Sequence, residues 1–276
     1  MEIPTASRQR WLKYRPPKSR DIRRLSPTFI SLRRAETERN IRAQILLNGN
    51  AVERKLSAIL KGAKRNAPGQ SFCCPITARK FQIFFVGRAL KLASQEQRQR
   101  TLLTIFDPAD AVTSEQLDRI DWRKMHARLR RRLQRQLGDT VVALGMGELE
   151  YDESRELWQP HYHLVVWGAS KESLINLRTH HYQSEKGEAR PMVVSKETNF
   201  PGWLSYIAKQ TAFRKYSTAN GKLVRNRLRT GQLRQMLRYA AMKSPTTFVF
   251  TLNCTLARKR VAEDTAVNKS EVSRRR

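Results

Sequence analysis

Cysteine is scarce in this chain. There are three in 276 residues, two of them adjacent as Cys73-Cys74 and the third, Cys254, remote from both. Three thiols at such spacing make no disulfide framework. Adjacent thiolates also suit a structural zinc site poorly, because such a site uses spaced pairs such as Cys-x-x-Cys. No run of eighteen apolar residues occurs, so no membrane-spanning helix is expected. Met1 to Arg24 is polar and lacks the apolar stretch of a secretory signal. A Gly-rich P-loop is missing, so no fused ATP-driven helicase is expected. The His-Glu-x-x-His of many zinc hydrolases is missing too. Acids are few: 24 Asp and Glu stand against 54 Lys and Arg, a formal net charge of +30.

That charge calls for a polyanionic partner and says little about the fold. Nucleic acid is the first candidate and an anionic membrane surface the second. The bacterial cytoplasm is the expected compartment. The charge is also uneven. Residues 1–100 hold 23 basic and 6 acidic residues, residues 101–168 hold 9 and 11, and residues 169–276 hold 22 and 7. The acids therefore gather in the middle, with a strongly basic segment on each side.

Four segments are expected. Residues 1–35 are Arg- and Pro-rich without periodicity and read as a flexible basic arm. Residues 36–95 read as a basic helical region, broken at Asn48-Gly49-Asn50 and again by a loop at Ala67-Pro68-Gly69-Gln70. A helix is expected over Thr77 to Ala93. Residues 96–255 read as the chemistry-bearing domain, and residues 256–276 as a disordered basic tail. Within the third segment, Arg100 to Phe106 reads as a strand. A helix start follows at Thr113-Ser114-Glu115, with helical spacing to Gly138. Strands are expected over Thr140–Glu150 and His161–Trp167, joined by an acidic loop at 151–160. A helix at Lys171–His180 and a short strand at Pro191–Val194 come next. Then come a helix that follows Pro201-Gly202 and runs to about Phe213, a basic connection at 214–230, a helix at Gly231–Met242 and a late strand at Thr247–Leu252. This order predicts an α+β fold, a central antiparallel sheet with helices packed on it.

His161-Tyr162-His163 lies in the apolar run Trp158-Gln159-Pro160-His161-Tyr162-His163-Leu164-Val165-Val166-Trp167-Gly168. Alternate residues of a strand share a face, so the two imidazoles project side by side and Tyr162 points to the opposite face, into the core. Glu148 and Glu150 share a face on the preceding strand. Two imidazoles and one carboxylate make a mixed nitrogen and oxygen site that accepts Mg²⁺ or Mn²⁺ as well as Zn²⁺. Glu150, nearer the turn, is the preferred third ligand and Glu148 the alternative. Asp152, Glu153 and Glu156 read as a solvated loop. Downstream, Tyr206, Lys209 and Gln210 share one face of the expected helix. A phenol has an ordinary pKa of about 10, and a neighbouring ammonium would favour its phenolate. Tyr216 and Tyr239 are weaker candidates for a nucleophile. Arg128, Arg130, Arg131, Arg132 and Arg135 read as a basic helix face for phosphates or solvent. Trp158, Trp167 and Trp203 read as core residues or as stacking platforms for unpaired bases.

Three landmarks in order resemble the His-hydrophobe-His superfamily of single-strand DNA endonucleases. They are the apolar strand Thr101-Leu102-Leu103-Thr104-Ile105-Phe106, the metal motif Pro160-His161-Tyr162-His163-Leu164-Val165-Val166, and the nucleophile helix Tyr206-Ile207-Ala208-Lys209. The resemblance covers residues 100–215 and looks most like plasmid-type or phage-type rolling-circle replication initiators. It implies a sheet of RRM-like, ferredoxin-like topology with the histidines on a middle strand. It further implies a Mg²⁺ or Mn²⁺ ion on His161, His163 and Glu150, and Tyr206 as nucleophile assisted by Lys209. Tyr206 would form a 5′-phosphotyrosine and free a 3′-OH. The implied partners are single-stranded DNA or an origin hairpin, with a host helicase and polymerase. A relaxase or single-strand transposase of the same superfamily is the nearest alternative. A non-catalytic nucleic-acid-binding protein on an RRM-like sheet, or a zinc hydrolase, stands further off.

Overall fold

The computed structural model describes residues 31–64, 71–183, 190–195, 199–209, 211–218, 220 and 222–256. Most of the expected N-terminal arm, the loop at 67–70, Gln210 and the expected tail from 257 onward lie outside these residues.

Local chemistry sets the element ends. Helix α1 (Leu32–Leu47) and helix α2 (Ala51–Gly62) meet at the expected break, where Asn50 and Glu53 close a reciprocal capping box. Helix α3 (Pro75–Gln95) starts with Pro75 in its first turn, where a missing N–H costs nothing. Strand β1 (Arg100–Phe106) follows. Thr113-Ser114-Glu115 opens a 3-10 segment, Ser114–Arg119, rather than the α-helix itself. Helix α4 (Trp122–Leu137) starts later, where Asp121 accepts the Lys124 N–H at 3.1 Å, and it ends at Gly138 with φ 91°. Its Trp122, Met125, Leu129 and Leu133 recur at helical spacing and are buried.

Strands β2 (Val142–Asp152) and β3 (Leu157–Trp167) form a long antiparallel hairpin. The expected ten-residue loop at 151–160 shrinks to a turn of Glu153 to Glu156, with Glu156 at φ 55°. Both strands gain ladder pairs from the acidic segment, because Asp152 opposes Leu157 and Glu150 opposes Gln159. Helix α5 (Lys171–His181) and strand β4 (Met192–Ser195) follow as expected. Helix α6 (Phe200–Ile207) is shorter than predicted and stops before Phe213. The expected basic connection is a hairpin, β5 (Phe213–Ser217) and β6 (Leu223–Arg227). Helix α7 (Thr230–Ala241) and strand β7 (Val249–Leu252) complete the chain.

The fold is α+β, with one mixed, seven-stranded sheet in which six strands lie in the order β4-β1-β3-β2-β5-β6 and the seventh, β7, pairs with β2 off that path. The pairings are antiparallel except β2 with β5. Along one edge of β2, residues 143–146 pair with β7 and residues 150–152 with β5. Helix α4 covers one face. There Trp122 packs on Gly147, where a Cβ would stand 2.1 Å from the ring, and its ring meets Tyr162 edge-on at 5.7 Å. Tyr162 is 4% exposed, as its place between the histidines predicts. Helix α6 covers the other face, and α3 sits behind it. The Gln82 amide donates to the Ser205 carbonyl at 2.7 Å and to the Ser205 hydroxyl at 3.1 Å. The described residues of 36–64 and 71–95 share one continuous apolar core with the sheet, and Phe72 touches Phe248 at 5.4 Å between ring centres. Among the described residues, no helix is long and apolar enough to cross a membrane.

Candidate metal centre and tyrosine

The histidines sit on β3, flanked by β1 on one side and β2 on the other. Register decides their carboxylate. Glu148 is directly opposite His161 across the β2–β3 ladder, and Met146 is opposite His163, so Glu148 faces both imidazoles. Its Oε2 lies 3.5 Å from His161 Nε2 and 3.3 Å from His163 Nε2. The three residues are buried, and their ligand atoms lie within 4.8 Å of one another, a group that can hold a metal ion.

This corrects the preference for Glu150. Two residues further along a strand is about 6.8 Å, and Glu150 opposes Gln159 rather than a histidine. Its oxygens have other partners. Arg225 Nε donates to Glu150 Oε1 at 2.6 Å, and Lys215 Nζ lies 4.0 Å from Oε2.

The donor set fits a divalent ion. Two donors each about 2.1 Å from one ion stand about 3.4 Å apart at a tetrahedral angle and about 3.0 Å apart at an octahedral one. The observed 3.3 and 3.5 Å fall close to the first value. Glu148 Oε1 is buried without a hydrogen-bond partner. Such an orphaned oxygen is costly unless something binds it. Both rings are held by their far nitrogens. His161 Nδ1 stands 3.4 Å from the Gln159 carbonyl, on the far side of the ring from Glu148. His163 Nδ1 stands 2.9 Å from Thr104 Oγ1, directly opposite it on β1. Such partners fix the ring orientation of metal-binding histidines. Burial alone would raise the Glu148 carboxyl. The two imidazoles beside it outweigh that and bring its pKa down to about 2. Burial pushes the His163 imidazole down, against the opposing pull of Glu148.

Tyr206, near the end of α6, meets His163 with ring centres 5.7 Å apart. Burial raises its phenol, the Glu148 and Glu150 charges raise it further, and Arg225 lowers it. Lys209 does not continue the helix as expected. It lies in the turn after α6, with Nζ 3.7 Å from the centre of the Tyr206 ring and 4.6 Å from that of Phe213. Its ammonium therefore caps the ring face in a cation–π contact. Glu148, Glu150, His161, Tyr206, Phe213 and Arg225 line one small cleft.

Several neighbours differ from expectation. Asp152 is not solvated. It is buried, lies 3.4 Å from Lys215 Nζ and accepts from the Gln159 amide at 3.2 Å. Glu153 binds Arg214 and Arg229, whereas Glu156 is exposed. Trp158 and Trp167 are fully buried, as the core reading of these residues expects, while Trp203 is half-buried with its ring 6.5 Å from that of His163. Tyr239 is buried and accepts from the Trp122 indole at 2.6 Å, in the core rather than at the site. Tyr216, on β5, lies under the Arg214 guanidinium. Arg128 and Arg132 are tied to Asp107, and Arg130 reaches the Thr251 carbonyl, which leaves Arg131 and Arg135 exposed on α4. Cys73 and Cys74 are buried free thiols, and burial pushes Cys73 up to about 12. Arg225 and Lys215 are the site residues that sequence reasoning missed. Phe213-Arg214-Lys215-Tyr216-Ser217 lacks the strict apolar–polar alternation that would signal a strand. No family model, curated protein or solved structure matches this chain.

Proposed function

We propose that this protein is a metal-dependent DNA nicking and joining enzyme that cuts single strands with Tyr206. The observation that carries this reading is the placement of the tyrosine ring against His163, whose Nε2 faces Glu148 in the buried Glu148, His161, His163 group. The topology supports it as well. Strands β1, β2, β3 and β4 with helices α4 and α5 follow the order β-α-β-β-α-β, and the strands lie as β4-β1-β3-β2. This order supports a ferredoxin-like reading of the sheet, with the histidines on an inner strand. The net charge of +30 suits a polyanionic substrate.

Glu148, His161 and His163 would hold a divalent ion, which would polarise a phosphate oxygen and offset charge in the transition state. The chain's own residues do the rest. Thr104 and the Gln159 carbonyl hold the imidazoles in place. The Tyr206 phenolic oxygen gives its proton to water and attacks phosphorus. The bond from phosphorus to the 3′ oxygen breaks, and that oxygen takes up a proton. The products are a 5′-phosphotyrosine and a free 3′-OH. The reverse attack reseals the strand, and the free 3′ end is a primer that a host polymerase can extend in rolling-circle replication once a host helicase separates the strands.

The test is a covalent adduct on a denaturing gel, formed with a labelled random-sequence single-stranded oligonucleotide pool and divalent metal. Wild-type protein forms the adduct. Tyr206→Phe binds the pool but forms none. Absence of any wild-type adduct, or undiminished adduct in Tyr206→Phe, refutes the assignment.

A further inference from the structure

We propose that Arg225 is the phosphate-positioning residue of the cleft, with Glu150 as its tether. The inference rests on the strand-cutting reading above. It starts from the β5–β6 hairpin. Because Glu150 pairs with Phe213 and Asp152 with Lys215, the hairpin extends the face of the sheet that carries the histidines. Lys215 in turn opposes Arg225 across the hairpin, so Arg225 projects from that same face.

The environment of Arg225 is asymmetric. Its side chain is 55% exposed, whereas its partner Glu150 is 10% exposed. A buried carboxylate thus holds the guanidinium by Nε, at 2.6 Å, at the rim of the cleft that contains His161 and Tyr206. Nε is the only Arg225 nitrogen with a hydrogen-bond partner among the described residues. The two terminal amino groups, four N–H donors in a planar fork, remain for a ligand. Such a fork matches two oxygens of one phosphodiester. Lys215 steadies the arrangement from behind, because it is buried against Gln159, Asp152 and Glu150. Lys209 cannot take this role, since its ammonium lies over the Tyr206 ring. The arrangement also accounts for Glu150, a buried acid beside the metal candidates whose oxygens face cations instead.

Two measurements test this. The first does not depend on cutting. The probe is fluorescein-labelled (dT)15, bound to the full chain in a Tyr206→Phe background and followed by anisotropy from 50 to 300 mM salt. With Arg225→Ala, the slope of log affinity against log salt falls by about 0.7, one phosphate contact on a single strand. With Arg225→Lys the slope is kept, but affinity drops several-fold because the fork is gone. Unchanged affinity and slope in both variants overturn the proposal. The second measurement is the rate of adduct formation from the random-sequence pool at saturating DNA. A phosphate misplaced by about 1 Å slows the step by roughly 10²-fold. Both Arg225 variants slow it, and Glu150→Gln slows it less. A wild-type rate in Arg225→Lys overturns the proposal even where the strand-cutting reading stands. If the wild type forms no adduct, the strand-cutting reading falls, and the salt slopes alone decide for or against Arg225.

Discussion

Replacing Glu148 by glutamine should abolish the stabilisation that a divalent ion confers, while the same change at Glu150 should not. Glutamine preserves volume but presents a neutral amide to two imidazoles whose Nε2 atoms now sit 3.3 and 3.5 Å from a carboxylate oxygen. An ion bound to the native state alone stabilises it by RT ln(1 + [L]/Kd). That is about 2.7 kcal/mol at a hundredfold excess over Kd, and about 1.4 kcal/mol more for each further tenfold. For a domain of this size 1 kcal/mol moves Tm by about 2–4 °C, so a hundredfold excess raises Tm by roughly 5–11 °C. The assay is thermal unfolding followed by circular dichroism, first in chelator and then with Mg²⁺, Mn²⁺ or Zn²⁺ added in tenfold steps. The wild type shifts with at least one metal, and Glu148→Gln does not. Glu150→Gln keeps the shift, because Glu150 faces Arg225 and Lys215 rather than the histidines. If no metal shifts the wild type, or if the shift disappears in Glu150→Gln and survives in Glu148→Gln, the assignment by register is wrong.

Stability should also depend on pH through His126, which packs against Tyr162 and Phe250 with its Nε2 buried and unpartnered. Burial lowers its pKa from 6.5 to about 4. Between these values the unfolded chain takes up a proton that the native state refuses, so stability present above pH 6.5 is lost as pH falls towards 4. In urea titrations His126→Leu should flatten that part of the profile, and an unaltered slope would count against it. Gly147→Ala should cost about 1–3 kcal/mol by overpacking, since the new Cβ would stand 2.1 Å from the Trp122 ring. A Tm within a degree of wild type would show that the ring moves aside freely. Affinity for single-stranded DNA should fall on the order of 10³-fold between 50 and 200 mM salt if roughly six or more phosphates are contacted. A fragment of residues 96–215 should show a shallower slope, and equal slopes would mean that the basic flanks do not touch DNA. That fragment lacks β7, which pairs with residues 143–146 of β2, so its folding is checked first by circular dichroism.

Much of the fold was legible because periodicity is local. The alternation around His161-Tyr162-His163 put both imidazoles on one face and Tyr162 in the core, and the structure agrees. Helical spacing and end signals located α1, α2, α3, α5 and α7 to within a few residues. What tertiary structure alone decided was pairing across distance. Charged residues at 151–160 read as a loop because composition cannot show that Asp152 will meet Lys215 sixty-three positions later and so be buried in a ladder. The same contact makes a β-hairpin of residues that, by charge, read as a connection. The choice between Glu148 and Glu150 turned on hairpin register. Period two places both acids on the correct face, and only the four-residue turn at 153–156 sets Glu148 opposite His161. Helix α6 ended before Lys209, and its ammonium came to rest on the Tyr206 ring rather than along a shared helix face. Side-chain chemistry is written in the local sequence, but a site of opposed strands depends on which residues finally stand across from one another.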